Sequence, residues 1–194
     1  MGTQQGTDSR KVLVAYYSLS GNTARVARDI AKQMGADVES IVDKQHGVGF
    51  TGYLKCVVDA VRETSTQIGE PTRNPADYDL TIVGTPVWAG KLTPAVRAYL
   101  KTQQPHFRNV AFFITSGGTD ASQIVPAMEL LADRQAVACS GFDAHDLADS
   151  DTYNRKIAAF VRAFRGWPAS QDGNGNTPPR ARWTAPVEAR AGTP

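Results

Sequence analysis

The sequence predicts an open, doubly wound α/β sheet, and three observations carry that prediction. Short, almost uninterrupted apolar runs recur along the chain, as strands buried on both faces require. Amphipathic helical segments alternate with them. Each run feeds a loop rich in Gly, Ser, Thr or Pro, and right-handed strand–helix–strand crossovers then leave helices on both faces of a parallel sheet.

The first strand is Val12-Leu13-Val14-Ala15-Tyr16-Tyr17, a central one by its continuous apolarity. A helix from about Asn22 to Met34 follows, with Val26, Ala27, Ile30, Ala31 and Met34 on one face, Arg25, Arg28, Asp29 and Lys32 on the other, and Gly35 as its stop. Val38 to Val42 is half-polar and suits a sheet edge. After a loop punctuated by Gly47, Gly49 and Gly52, Leu54, Val57, Val58 and Val61 give helical spacing over Tyr53 to Glu63. Leu80 to Gly84 and Val110 to Ile114 are two more buried strands. Between them Thr93 caps a helix that has Pro94 in its first position, where the missing N–H is harmless. Another helix starts near Ser122, with Pro126 disturbing its first turn. A last strand at Ala136 to Cys139 precedes a helix from Asp151 to Phe164, whose buried stripe is Tyr153, Ile157, Phe160, Val161 and Phe164. Five strands thus alternate with five helices.

Composition sets the boundaries of function. The chain has 194 residues, 41% hydrophobic and 21% charged, with a net charge of +2. That length supports one core of ordinary size, and that charge makes neither a polyanion-binding surface nor an acidic solvating chain, which argues against nucleic acid. Cys56 and Cys139 make no disulfide framework, and with no apolar span or secretory leader the expected location is the cytoplasm. Residues 1–10 are expected to be a flexible N-terminus, 11–165 the folded domain, and 166–194 a mobile tail, since its Pro, Gly, Asn and Arg show no periodicity. Trp167 and Trp183 leave open that the tail folds back onto the domain or a second subunit.

Ligands in such sheets bind beyond the carboxyl ends of the strands, where the winding reverses. The loop after the first strand, Ser18-Leu19-Ser20-Gly21-Asn22-Thr23, leads straight into a helix, so hydroxyl and amide donors sit beside free helix N–H groups. It has no Walker lysine and no Gly-x-Gly-x-x-Gly, which favours one monophosphate over a nucleoside triphosphate or NAD; a plain helix cap and turn is the alternative. The next loop, Thr85-Pro86-Val87-Trp88-Ala89-Gly90-Lys91, sets a tryptophan at a strand's carboxyl end, where it serves either as core or as a platform for a flat ligand. The third, Thr115-Ser116-Gly117-Gly118-Thr119-Asp120, brings bare backbone close to an occupant, and Asp120 has a second role available as a helix cap.

These loops, in this order, resemble the flavodoxin-like family of FMN-binding proteins over about Lys11 to Phe164. The specific part is Tyr17 to Thr23 combined with Gly84 to Gly90. The resemblance implies a flavodoxin-like three-layer α/β/α sandwich around a five-stranded parallel sheet of order 2-1-3-4-5, with FMN as cofactor. It also implies that Ser18, Ser20, Gly21, Asn22 and Thr23 hold the phosphate, with Leu19 among the cofactor-binding residues, and that Trp88 stacks on the isoalloxazine. Thr85, Pro86, Val87, Ala89 and Gly90, with Ser116, Gly117, Gly118 and Asp120, would line the flavin edge.

Two departures from electron-carrier flavodoxins bear on function: the third loop has no aromatic ring, and the chain is not acidic. An uncovered flavin face suits a small reductase that passes electrons from a nicotinamide cofactor to a quinone-like or other small acceptor. A flavodoxin-type carrier serving a protein partner is the alternative, with Phe50 or Tyr53 covering the flavin. In either case the flavin carries the chemistry and no catalytic side chain is expected. Cys56 and Arg62 have the spacing of a phosphatase loop, but Val57-Val58-Asp59-Ala60-Val61 is an amphipathic helix pattern instead. His46, His106 and His145 are scattered, so no metal site is expected.

Overall fold

The computed structural model of the chain describes residues 10–44, 66–118, 120–165 and 182–183. The helix expected over Tyr53 to Glu63, the glycine-punctuated loop before it, and His46, Phe50 and Cys56 lie outside the described residues. So does the C-terminal stretch, apart from Arg182–Trp183.

β1 (Val12–Tyr16) pairs in parallel with β2 (Asp37–Ser40) on one side and with β3 (Leu80–Trp88) on the other. β3 continues into β4 (Lys91–Leu92), an antiparallel partner, and pairs in parallel with β5 (Val110–Thr115), which pairs with β6 (Ala136–Phe142). The main parallel order is therefore β2-β1-β3-β5-β6, the predicted 2-1-3-4-5 once the short β4 is set apart. Arg182–Trp183 adds β7, parallel to β6, through the pairs Ala138↔Arg182 and Cys139↔Trp183. At those two residues the chain returns to the sheet.

Strand alternation divides the core into two layers. Val12, Val14, Ile82, Ala111 and Phe113 pack against Val26 and Ile30 of α1 (Asn22–Met34) and against Ile157 and Phe160 of the C-terminal helix. Ala15, Val83, Phe112 and Ile114 pack on the other face against Val96 and Tyr99 of α2 (Pro94–Gln103) and Met128 of α3 (Val125–Ala132). α4 (Ala144–Ala148) and α5 (Ser150–Arg165) complete the chain of described helices. This is the predicted three-layer sandwich. The stripe Tyr153, Ile157, Phe160, Val161 and Phe164 of α5 is buried throughout, at 4% exposure or less.

Several boundaries follow from local chemistry. α1 ends at Gly35, whose φ of 64° is the left-handed conformation that glycine adopts without a Cβ penalty. Gly84 is required by packing: a Cβ there would lie 2.0 Å from Cζ of Phe113 on the neighbouring strand. The helix expected near Ser122 begins as a 3-10 turn, Ala121–Ile124, and becomes α-helical at Val125 with Pro126 in its first turn. α4 was not expected. It is set by a capping box in which Asp143 accepts from the Asp146 N–H while Asp146 accepts from the Asp143 N–H. The buried Asp146 carboxylate also pairs with Lys156 of α5 at 2.5 Å.

Candidate functional site

β1, β3 and β5 are neighbours in the sheet and run parallel, so the segments that leave their carboxyl ends share one edge of the molecule. The first is shaped by Gly21, which caps α1 with φ 93° and donates its N–H to Ser18 Oγ at 3.1 Å. Because the cap residue is glycine, it offers no side chain to the N–H groups of the helix's first turn, and that turn holds no acidic residue. Such a terminus carries partial positive charge and open donors, which suits an anion. Ser20, Gly21 and Asn22 are exposed beside it, Ser18 and Leu19 half-buried.

Thr23 is placed differently. Its hydroxyl is 2% exposed and shares a 2.8 Å hydrogen bond with the hydroxyl of Thr115, the last residue of β5. The base of the first loop is thus tied to the base of the third. Thr115, which the sequence places at the head of the third loop with no role of its own, is instead the last residue of β5, and its hydroxyl closes the otherwise apolar run Val110 to Ile114.

The second segment corrects the expectation of a loop over Thr85 to Lys91. β3 runs on through Trp88, because Thr85 and Pro86 still pair in register with Ile114 and Thr115 of β5. Beyond the end of β5 the chain folds back in a two-residue hairpin at Ala89 and Gly90. Both have positive φ, 49° and 73°, the conformation that such turns demand. Val87↔Leu92 and Trp88↔Lys91 are the closing pairs. Thr85 is fully buried: its hydroxyl donates to the Pro86 carbonyl at 2.9 Å and lies 3.1 Å from the hydroxyl of Thr93. Thr93 does stand at the N-cap position of α2, but its hydroxyl serves this pair and not the cap. Trp88 is 8% exposed and meets Tyr17 edge-on, with centroids 5.7 Å apart and planes at 80°.

In the third segment the Ser116 N–H donates to the Phe142 carbonyl at the end of β6, and Gly117 and Gly118 follow, both exposed, the latter at φ 130°. Asp120 caps the 3-10 turn by accepting from the N–H and hydroxyl of Ser122 at 2.9 and 2.7 Å. Those bonds, the hydroxyl's first, hold its carboxyl below the usual carboxylate range. Among the described residues no group of three or more His, Cys, Asp or Glu is placed to hold a metal ion, and no helix is long and apolar enough to cross a membrane.

Taken together, fold and site define an open doubly wound α/β protein whose first helix starts, with a glycine cap and no acidic residue in its first turn, at the carboxyl edge of the sheet. Residues 11–135 match the family model described as flavodoxin, and the chain belongs to that family. Among solved structures it is similar to a flavoprotein from Lactobacillus acidophilus NCFM in complex with FMN, at 23% identity and TM-score 0.60, covering 72% of this chain and 97% of that one. Two Bacteroides proteins are similar in fold. That from B. eggerthii DSM 20697 is 20% identical with TM-score 0.62, covering 79% and 96% of the two chains. That from B. uniformis ATCC 8492 is 19% identical with TM-score 0.63, covering 77% and 98%. No curated protein matches the chain.

Proposed function

We propose that the protein is an FMN-dependent redox protein, a small reductase that takes electrons from a nicotinamide cofactor and passes them to a quinone-like or other small acceptor. The observation that carries the flavin part is the start of α1: a left-handed glycine cap, no capping side chain and no carboxylate in the first turn, with Ser18, Ser20 and Asn22 alongside. This donor set fits one phosphate monoester. Family membership and the FMN in the Lactobacillus relative support the same cofactor.

When bound, FMN supplies the hydride and electron chemistry, and the chain's own residues bind and orient it. Ser18, Ser20, Asn22 and the N–H groups of the first turn hold the phosphate, with Leu19 alongside. Thr23 holds that turn against Thr115. Pro86, Val87, Trp88, Ala89 and Gly90 offer the hairpin as one wall, set by the buried Thr85, and Ser116 to Gly118 with Asp120 offer backbone at the other. The reductase part rests on Ser116, Gly117, Gly118 and Asp120 carrying no ring, and on a net charge of +2, which is not the strongly acidic balance of an electron carrier that docks on basic partners.

Equilibrium titration tests the cofactor: FMN should bind more tightly than FAD, and Ser20→Ala should weaken FMN by about 1.5 to 3 kcal/mol, as for one hydrogen bond to a charged group. Tighter FAD binding, or no binding of either flavin, would refute it. Anaerobic mixing of the FMN-loaded protein with NADH or NADPH tests the reductase. The flavin absorbance should bleach on the order of 1 s or faster. If bleaching requires a separate reductase protein, a carrier function replaces this one.

A further inference from the structure

We propose that the face formed by α1 and α5 adsorbs the protein onto an anionic lipid bilayer. The chain's net charge of +2 conceals an uneven distribution. α1 exposes Arg25, Arg28 and Lys32, and α5 exposes Arg155 and Arg162. Residues three, four or seven apart in a helix stand on one side of it, so each helix presents its cations as a single row. The two helices lie side by side over the same face of the sheet. They are joined by the Tyr153 hydroxyl, which donates to Asp29 at 2.5 Å, and by the Arg25 guanidinium, 4.1 Å over the Tyr153 ring.

Little on this face opposes those charges. Asp29 is half-buried and taken by Tyr153, and the exposed Asp149 and Asp151 stand at the start of α5. Arg155 donates to the Thr152 hydroxyl at 2.9 Å and shares the field of Asp149. Among the described residues Arg28, Lys32 and Arg162 have no hydrogen-bond or ion-pair partner. An exposed cation without an internal partner gives its charge to the surface field. The stretches 1–9, 45–65 and 166–194 hold five basic and five acidic residues, so no acidic surplus outside the described residues stands ready to neutralise the face.

The unpartnered cations lie toward the amino edge of the sheet, away from the three loops. Both helices start at the carboxyl ends of strands, and α5 ends where Arg10, just ahead of β1, donates to the Phe164 carbonyl at 2.6 Å. A protein exchanging electrons with a flavin has to reach the carboxyl edge, so this face is placed for attachment. A bilayer is favoured over an acidic protein by the absence of an apolar anchor. The large apolar side chains exposed among the described residues are Val42 and Leu130, on neither helix. Protein interfaces draw most of their energy from such anchors, whereas a diffuse anionic surface needs none and holds a cluster of four or more Lys and Arg. Between Arg155 and Arg162, Ala158 and Ala159 are too short to stand above the cations. Adsorbed on this side, the protein keeps its carboxyl edge open to small molecules and brings it near an apolar quinone dissolved in the bilayer. The adsorption itself does not depend on the flavin reading.

The test is co-sedimentation of the full chain with lipid vesicles, with and without added FMN. Vesicles containing about 30% phosphatidylglycerol should carry the protein down at about 20 mM salt, phosphatidylcholine vesicles should not, and about 500 mM salt should release it. Arg28→Gln with Lys32→Gln should weaken the partition about 25-fold, at about fivefold per cation. Arg162→Gln should weaken it about fivefold and serves alone if the double variant does not fold. Lys44→Gln with Lys101→Gln removes the same charge from exposed positions on neither helix, and should leave the partition within about twofold. FMN affinity should be the same in every variant, and vesicle binding the same without FMN, so failure of the flavin reading leaves this test readable. The proposal is overturned if the phosphatidylglycerol vesicles leave the protein in solution at low salt, if the two lipids bind it equally, or if both double variants weaken binding alike. Soluble poly-glutamate that binds the protein while the vesicles do not would assign the face to an acidic protein instead.

Discussion

The hydroxyl pair Thr23–Thr115 offers a direct experiment on how the candidate site is held. Both residues are almost wholly buried, at 2% and 4% exposure, and their oxygens are 2.8 Å apart. Thr→Val replaces the hydroxyl with a methyl of similar size, so the change is chemical and leaves the volume nearly constant. A single substitution at either position strands the opposite hydroxyl in an apolar setting, at a cost of about 1 to 3 kcal/mol. The double substitution strands nothing, since both partners become apolar together. Its loss should therefore fall short of the sum of the two singles by at least about 1 kcal/mol, within the range seen for residues in contact. Urea unfolding at constant m reads this from the midpoints, and the melting temperature should follow at roughly 2 to 4 °C per kcal/mol for a chain of this size. Strictly additive single losses would refute the pairing.

Further expectations attach to single residues. Gly84→Ala should destabilise by about 1 to 3 kcal/mol or more, because its Cβ would sit 2.0 Å from Cζ of Phe113; an unchanged urea midpoint would contradict the close packing of β3 on β5. Burial, with the Glu129 charge second, pushes the Cys139 thiol up to about 12, so the native protein should resist alkylation at that residue at pH 8 and react in urea. Fast labelling of native Cys139, read by peptide mass spectrometry, would overturn this. Binding of FMN should quench tryptophan fluorescence, and Trp88→Ala should remove most of the quenching. Quenching that survives intact would leave Trp88 as a core residue against Tyr17.

What the sequence made legible was whatever local chemistry decides. The apolar run of β1, the amphipathic face of α1 with its Gly35 stop, and Pro94 opening α2 all stand where the pattern places them. The segment Thr85 to Lys91 reads as a loop because Pro86 and Gly90 look like loop residues in isolation, whereas the structure carries β3 through Trp88. Its strand character comes from the pairs Thr85↔Ile114 and Pro86↔Thr115, whose partners stand 29 residues away in sequence, and only Ala89 and Gly90 form the turn. α4 has a readable signal in the pair Asp143 and Asp146, three apart, the spacing of a capping box. β7 had none, since two residues in an aperiodic stretch show no period. Glu39 reads in sequence as an ordinary polar residue of an edge strand; its burial is decided by Thr72 and Arg73, which close over it from 33 and 34 residues away.

The two buried threonine pairs give the candidate site a common logic. Thr23–Thr115 joins the start of α1 to the end of β5, and Thr85–Thr93 joins the carboxyl half of β3 to the N-cap of α2. Each pair sits behind exposed or half-buried loop residues: Ser18 to Asn22, the hairpin at Ala89 and Gly90, and Gly117 with Gly118. Hydroxyls that bond to each other inside the protein are donors withdrawn from a ligand, so their contribution to binding is positional. They fix the loop bases before any ligand arrives, which lowers the ordering cost that binding would otherwise carry. On this reasoning Thr115→Val, which touches no exposed donor, should still weaken FMN by loosening the first turn of α1, whereas Thr93→Val should act through the hairpin that carries Trp88. Phosphate alone, titrated as a competitor of FMN, separates the two. It should lose affinity for the Thr115 variant and keep it for the Thr93 variant, and equal loss in both would show that the loops are not anchored independently.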